Sequence, residues 1–223
     1  MSQVQNLQQP LNLLALCRKV FFMSKQTIRN QIKEKLASIS KHQLKAESEK
    51  ICRTIINSKD YQNCTILLAY MPLPDEADIT LVISDALAHN KSVYLPRITP
   101  GTNQMEFYRF TTGSRTDTGS YGISEPEPDE TQNFIKFLKT PAQVPQQILI
   151  LVPGRAFTKD GRRLGRGKGF YDIYFSRLTD ATKNMTSSKD IKKSGVCFAC
   201  QLVADIPTTP DDVLMDSVFR SKS

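Results

Sequence analysis

The 223-residue sequence has no tryptophan, two histidines (His42 and His89), and no acidic residue before Glu34. It also lacks any apolar run close to the roughly 20 residues needed to cross a bilayer, so a membrane-spanning role is excluded at this level. The cysteines are few and odd in number: Cys17, Cys52, Cys64, Cys197 and Cys200. With no secretory signal, they read as reduced thiols rather than a disulfide framework. Cys197 and Cys200 form a CxxC, but no second pair and no histidine lies near it. The surrounding GVCFACQLV has the character of a buried strand, so core packing is expected there rather than redox or zinc chemistry. No internal repeat is visible. Basic residues are scattered instead of forming a stripe interleaved with aromatics, so nucleic acid is not the expected partner.

Thirty basic against 22 acidic residues give a net charge of +8 and a pI near 9.3. That balance favours anionic partners without choosing among phosphates, carboxylates and nucleic acid. The first 23 residues read as an N-terminal extension, disordered or targeting, in which LNLLALCRKVFF resembles a mitochondrial presequence but is poor in arginine and serine. A cytoplasmic location is therefore expected, with a mitochondrial one as the alternative. The body, residues 24–223, is long enough for one domain with a substantial core.

Along that body, helix and strand signals alternate. Ser24 stands as an N-cap ahead of Ile28, Ile32 and Leu36 at helical spacing, and Lys25 and Arg29 share a different face. A second helix is expected over Lys41–Ile56, a strand over Cys64–Tyr70, a helix over Ile79–Ala88, and strands at Ser92–Pro96 and Met105–Phe110. Residues Thr111–Asp129 read as a long loop, and Thr131–Lys139 as a short helix. Gln147–Pro153 (QILILVP) is continuously apolar, as a parallel strand buried on both faces would be. A helix from Phe170 to Leu178, a polar connection over Asp180–Ser194, a strand over Gly195–Val203 and a loop over Asp205–Asp216 complete the reading. The pattern predicts a single three-layer α/β/α domain with a largely parallel central sheet. Ligands bind beyond the carboxyl ends of such strands, which places Met71–Glu76 and Gly154–Gly169 at one rim.

The second of those loops is the informative one. In VPGRAFTKDGRRLGRGKGFYD, Gly165, Gly167 and Gly169 alternate just before a helix, and Arg163, Arg166 and Lys168 lie among them. Exposed amides in such a loop, with a helix N-terminus behind them, form an anion-binding concavity, and arginine grips phosphate bidentately. Neither the Walker pattern nor the dinucleotide GxGxxG is satisfied. On these residues alone a solvated basic loop stays open beside a phosphate site.

The run from Val152 to Asp172 resembles the signature of the 5-formyltetrahydrofolate cyclo-ligase family. The matching positions are Val152, Pro153, Gly154, Ala156, Phe157, Gly161, Arg163, Leu164, Gly165, Gly167, Gly169, Tyr171 and Asp172. Phe170 stands for the usual tyrosine, Arg155 where leucine is common and Thr158 where aspartate is common. KQTIRNQIKEKL, PDEADIT, LPRI, Met105 with Phe107, YGISEP, Gln201 and DIPTTPDDVLMD also fit in order, with Asp211 in place of a frequent histidine.

The resemblance implies an ATP- and Mg²⁺-dependent enzyme that converts 5-formyltetrahydrofolate to 5,10-methenyltetrahydrofolate, with ADP and phosphate released; a monomer is expected, although the sequence does not give the oligomeric state. Carried over position by position, it implies ATP contacts at Lys25, Arg29, Arg163, Leu164, Gly165, Arg166, Gly167, Lys168, Gly169, Phe170 and Tyr171. It implies folate contacts at Met71, Glu76 and Arg166 to Phe170, and Mg²⁺ ligation by Asp172 and Asp212. Read without it, Asp172 is a helix N-terminal carboxylate, Asp212 a turn residue, and Lys25 with Arg29 a solvated helix face. Two other readings stand beside it: a different ligand-binding enzyme on a similar α/β frame, and a non-catalytic basic RNA-binding or regulatory protein that keeps the fold.

Overall fold

Ser24 opens α1 (Lys25–Ala37), its hydroxyl accepting the Thr27 amide at 3.1 Å, and Ile28, Ile32 and Leu36 form the buried stripe. Helix α2 (Lys41–Ile56) starts on a reciprocal cap between Ser40 and Gln43 and buries Ile51, Cys52 and Ile55. These elements belong to a computed structural model that describes residues 23–119, 122, 124–139, 147–183, 191–210 and 212–221. Expectations for residues 1–22, for Tyr121 and for Asp211 lie outside the described residues; Met23 packs against the core beside α1.

The chain continues through α3 (Lys59–Asn63), β1 (Ile66–Leu68), α4 (Thr80–Ala88), β2 (Ser92–Ile98), β3 (Met105–Phe110), β4 (Thr116–Thr118) and β5 (Ser124–Pro126). Then come α5 (Phe134–Leu138), β6 (Ile148–Pro153), β7 (Ala156–Phe157), β8 (Arg163–Leu164), α6 (Phe170–Thr182), β9 (Ile191–Cys197) and β10 (Ser217–Arg220). Six strands form one sheet in the order β10-β9-β6-β1-β2-β3. All neighbours run parallel except β2 and β3, an antiparallel hairpin that makes one edge.

The strand pleat sorts side chains onto two faces. From β1 and β6, Leu67, Leu149 and Leu151 pack with α1, α2 and α4, whereas Ile66, Leu68, Ile148, Ile150 and Val152 pack with α5 and α6. This double burial is why β6 reads as an unbroken apolar run, and it establishes the three-layer arrangement with a mostly parallel sheet.

Three expectations need correction, and one strand is new. The strand placed at Gly195–Val203 runs from Ile191 to Cys197 and is followed by a 3₁₀ turn at Ala199–Gln201. Its polar start is held by backbone pairing to β6, and apolar Phe198 is buried just past its end, so composition set the start four residues and the end six residues too late. Strand β10, just past the expected loop over Asp205–Asp216, is not anticipated by the sequence because SVFR is short and mixed. The expected loop at Thr111–Asp129 contains the β4–β5 hairpin, tied to the sheet by Arg97, whose guanidinium donates to the Pro126 carbonyl at 2.8 Å. Helix α6 runs past Leu178 into the expected polar connection, where the Thr182 hydroxyl donates back to the Leu178 carbonyl at 2.9 Å.

From β1 the chain moves to β2 on one side, and from β6 to β9 and β10 on the other. The carboxyl ends of β1 and β6 therefore flank the topological switch point, where the connecting loops part and leave a crevice. Fully buried Phe157 packs beneath the start of the loop that leaves β6. A Cβ on Gly154 would come within 2.7 Å of that ring, and one on Gly195 would overlap it from the other side. Gly195→Ala should thus cost about 1–3 kcal/mol through overpacking. In urea unfolding, the double variant with Phe157→Leu should be less destabilised than the sum of the two singles.

Candidate active site

The loop after β1 is built on itself. The Tyr70 hydroxyl donates to the Ala77 carbonyl at 2.8 Å, and the Glu76 carboxylate accepts the Leu73 amide at 3.1 Å. Its side chain therefore points back over the switch point with its stem fixed. The loop after β6 is a small hairpin, β7–β8, closed by Arg155 N–H to the Leu164 carbonyl at 2.7 Å and Thr158 N–H to the Arg162 carbonyl at 3.0 Å. Buried Gln201 holds it from beneath, donating to the carbonyls of Gly154 (2.8 Å) and Arg155 (3.1 Å) and accepting the Phe198 amide (2.8 Å). Beyond the hairpin, Gly167 (φ 97°) and Gly169 (φ 73°) take left-handed backbone that lets the chain turn directly into α6. No side chain caps that helix, so its first amides face the crevice.

Charged groups converge from four segments. Arg163, with only 5% of its side chain exposed, donates Nη2 to Asp172 Oδ1 at 2.9 Å and lies 5.4 Å from the Tyr171 ring centroid; its buried Nε has no partner. Lys25, at the start of α1, donates to Asp212 Oδ2 at 2.6 Å, and the same oxygen accepts the Thr209 amide. Arg29 donates Nε to the Gly165 carbonyl at 3.0 Å. Arg166 donates Nε to Glu76 Oε1 at 3.0 Å and also contacts Asp75, which binds Arg155 as well.

These segments enclose a cleft of about 270 Å³. Lys25, Arg29, Met71, Glu76, Asp172, Asp212 and every residue from Arg163 to Tyr171 line it, so all the residues singled out from the sequence meet at one place. One end is basic. The other is walled by Leu73, Pro96, Ile98 and Met105, with buried Glu125 from the β4–β5 hairpin beside them. The structure adds Pro96, Ile98, Met105 and Glu125 as wall residues. The segments carrying them were recognisable only by family likeness, and nothing in their local pattern marks them as lining a cleft.

Burial would raise the Asp212 carboxyl, but the Lys25 ammonium and the Thr209 amide outweigh it and hold it below its ordinary value. Enclosure pushes the Tyr171 phenol well above its ordinary range, with the nearby Glu76 charge adding to it. Burial likewise lifts the Cys52 and Cys64 thiols to about 11 and Cys197 to about 12, in keeping with packing roles. Among the described residues no three His, Cys, Asp or Glu side chains cluster as a ready-made metal cage. Asp172 and Asp212 are each engaged through a single oxygen at the cleft wall. That donor set fits Mg²⁺, which takes one or two carboxylates, keeps its waters and completes its shell with substrate phosphates.

The 5-formyltetrahydrofolate cyclo-ligase family model matches residues 22–221. The chain belongs to this family. It is 31% identical over 199 residues to a probable 5-formyltetrahydrofolate cyclo-ligase of Caenorhabditis elegans, covering 87% of this chain and 91% of the relative. It is 26% identical over 205 residues to the Mus musculus 5-formyltetrahydrofolate cyclo-ligase, covering 90% and 95%. A relative named as mitochondrial, from Arabidopsis thaliana, is 28% identical over 206 residues, covering 88% and 74%. The fold matches the NMR structure of Aquifex aeolicus 5,10-methenyltetrahydrofolate synthetase with a TM-score of 0.66 at 27% identity, covering 90% of this chain and 91% of that one. As a cyclo-ligase family member the chain is an enzyme of the ligase class, in folate one-carbon metabolism. No helix among the described residues is long and apolar enough to cross a membrane.

Asp75 provides a pH signature for this site. Burial opposes its ionisation, yet the Arg166 and Arg155 guanidinium groups prevail and hold its carboxyl below the ordinary 3.8. Its contribution to stability is present above that ordinary value and is lost as pH falls through the depressed one. Asp75→Asn should therefore flatten the loss of urea stability below about pH 4 and leave the profile near pH 7 parallel to wild type.

Proposed function

We propose that this cyclo-ligase family member converts 5-formyltetrahydrofolate to 5,10-methenyltetrahydrofolate, consuming ATP and releasing ADP and phosphate. The observation that carries this reading is the single cleft joining a basic, amide-rich end to an apolar end with carboxylates at its wall. A triphosphate suits the first, and a flat heterocycle with hydrogen-bond donors on its rim suits the second.

A formyl group on nitrogen is an amide, so its carbon is a weak electrophile and its oxygen a poor leaving group. Transfer of the γ-phosphoryl to that oxygen, with ADP leaving, converts it to a phosphate ester on an iminium-like carbon. The neighbouring amine of the same folate then forms the new C–N bond. The C–O bond breaks, phosphate departs, and the amine proton is lost. Both reacting nitrogens belong to one molecule, so the protein's task is to align groups and neutralise charge, and no histidine or cysteine nucleophile is required.

In this reading Lys25, Arg29, Arg163, Lys168 and the amides of Leu164 to Tyr171 hold the triphosphate. The unpartnered Nε of Arg163 is a donor already desolvated. Met71 and Glu76 meet the folate, and Arg166 to Phe170 lie between the two substrates. Asp172 and Asp212 would hold Mg²⁺, which supplies charge neutralisation on the transferring phosphoryl group.

The decisive assay follows the absorbance of methenyltetrahydrofolate formed from 5-formyltetrahydrofolate, with and without Mg-ATP. Product only in the presence of Mg-ATP is expected; no product under either condition sinks the reading. Asp172→Asn should slow turnover by at least roughly 10- to 100-fold, the cost already usual for losing a residue that only orients a metal ligand. Arg163→Ala should raise the KM for ATP by about tenfold or more, since it removes a buried charge-assisted donor. Wild-type constants in both variants would overturn the site assignment.

A further inference from the structure

Two charged residues beside the cleft belong to neither of its walls. Asp75 and Arg155 do not line it, yet they engage each other and the residue that bridges its two loops. Asp75 Oδ2 takes Arg155 Nη1 and Asp75 Oδ1 takes Arg166 Nη2, while Arg166 Nε reaches Glu76 Oε1 at 3.0 Å. Two guanidinium groups and two carboxylates thus form a closed row, Arg155–Asp75–Arg166–Glu76, running from the loop after β6 to the loop after β1 and back.

The row is anchored at both ends. The backbone of Arg155 is held by its amide to Leu164 and its carbonyl to buried Gln201, so its guanidinium projects from a fixed base. At the far end Glu76 is tied by its second oxygen to the Leu73 amide at 3.1 Å. Arg166 sits between these anchors on the glycine-rich segment, where Gly165 and Gly167 give its backbone little rigidity of its own. Without Asp75, a guanidinium with 30% of its side chain exposed would sample many rotamers.

We propose that Asp75, itself fixed by Arg155, is a positioning residue that holds Arg166 against Glu76, so that this pair is preset for the folate substrate. Arg155 stands where leucine is common in the family signature, and on this assignment the departure is a second anchor for Asp75. The proposal rests on the cyclo-ligase reading above. Because neither residue meets the reacting atoms, their loss falls on substrate capture rather than on phosphoryl transfer. A pre-organised ion pair spares rotamer entropy on binding, so KM changes more than kcat.

The test is steady-state kinetics with purified Asp75→Asn, Arg155→Leu and the double variant, beside urea unfolding of each. With wild type turning over, each single variant should raise the KM for 5-formyltetrahydrofolate about three- to tenfold with kcat within about twofold. The double variant should be no worse than the poorer single, because both changes break one row. An unchanged KM in folded variants, or effects that multiply in the double, overturns the positioning role. If Asp75→Asn does not fold, Arg155→Leu alone decides, since leucine is the residue common at this position in the family signature and removes only the charged end of the side chain. Absence of product from the wild type would instead defeat the functional reading, a result distinct from either outcome.

Discussion

A loop that offers its amides to an anion must not satisfy them internally, and it must not collapse onto the sheet behind it. Here the requirement is met from below. Gln201 occupies the carbonyls of Gly154 and Arg155, Val203 donates its amide to the Phe157 carbonyl at 2.8 Å, and Met215 donates to the Gly161 carbonyl at 2.8 Å. The underside of the hairpin is thereby fully engaged with backbone and buried side chain. The segment from Gly165 to Gly169 is left to face outward, where Arg29 meets the Gly165 carbonyl. The same contacts bring the closing segment, and with it Asp212, up to the cleft. Fold and site are coupled through this one pinned loop.

The elements that were legible are those whose neighbours in sequence are also their neighbours in space. Ile28, Ile32 and Leu36 on one helical face, the Ser40–Gln43 cap, and the unbroken apolar run of β6 each carry a local signal that tertiary packing reinforces. Strand β9 was displaced because its polar N-terminal half is held by backbone pairing with β6, a contact that composition does not register. β10 and the β4–β5 hairpin are three- or four-residue strands with no run long enough to show alternation. In the site, glycine spacing marked the loop assigned to phosphate, whereas Met71 and Glu76, placed at the rim by the strand pattern, gained a role only through family likeness. The partners of Asp75 lie 80 and 91 positions away, so no reading of its own neighbourhood could supply its role.

The two departures from the family signature near the start of the loop acquire physical meaning in the folded chain. Thr158 is 1% exposed, and its hydroxyl accepts the Arg162 amide at 3.0 Å, which is the turn-closing contact an aspartate carboxylate makes at such a position. The substitution keeps the hydrogen bond while removing a charge from a buried site, which avoids a desolvation cost. Arg155 does the reverse. It brings a charge to a position 15% exposed, but meets the carboxylate of Asp75 there and leaves it compensated.

The charges around the cleft follow the same rule, and this bears on how ligands would enter it. Lys25 is paired with Asp212 and Arg163 with Asp172, so the cations assigned to the triphosphate are engaged with the carboxylates assigned to the metal. An anion arriving alone would draw off the cations and leave two carboxylates facing it without partners, which in a partly buried site is costly. An anion arriving with a divalent cation replaces both sides of each pair at once. On the proposed reading, then, the groups assigned to Mg-ATP hold one another in place, and exchanging partners leaves none of those charges uncompensated. That arrangement lets Arg163 stay almost wholly buried, ready in position, without depending on the nucleotide to hold it there.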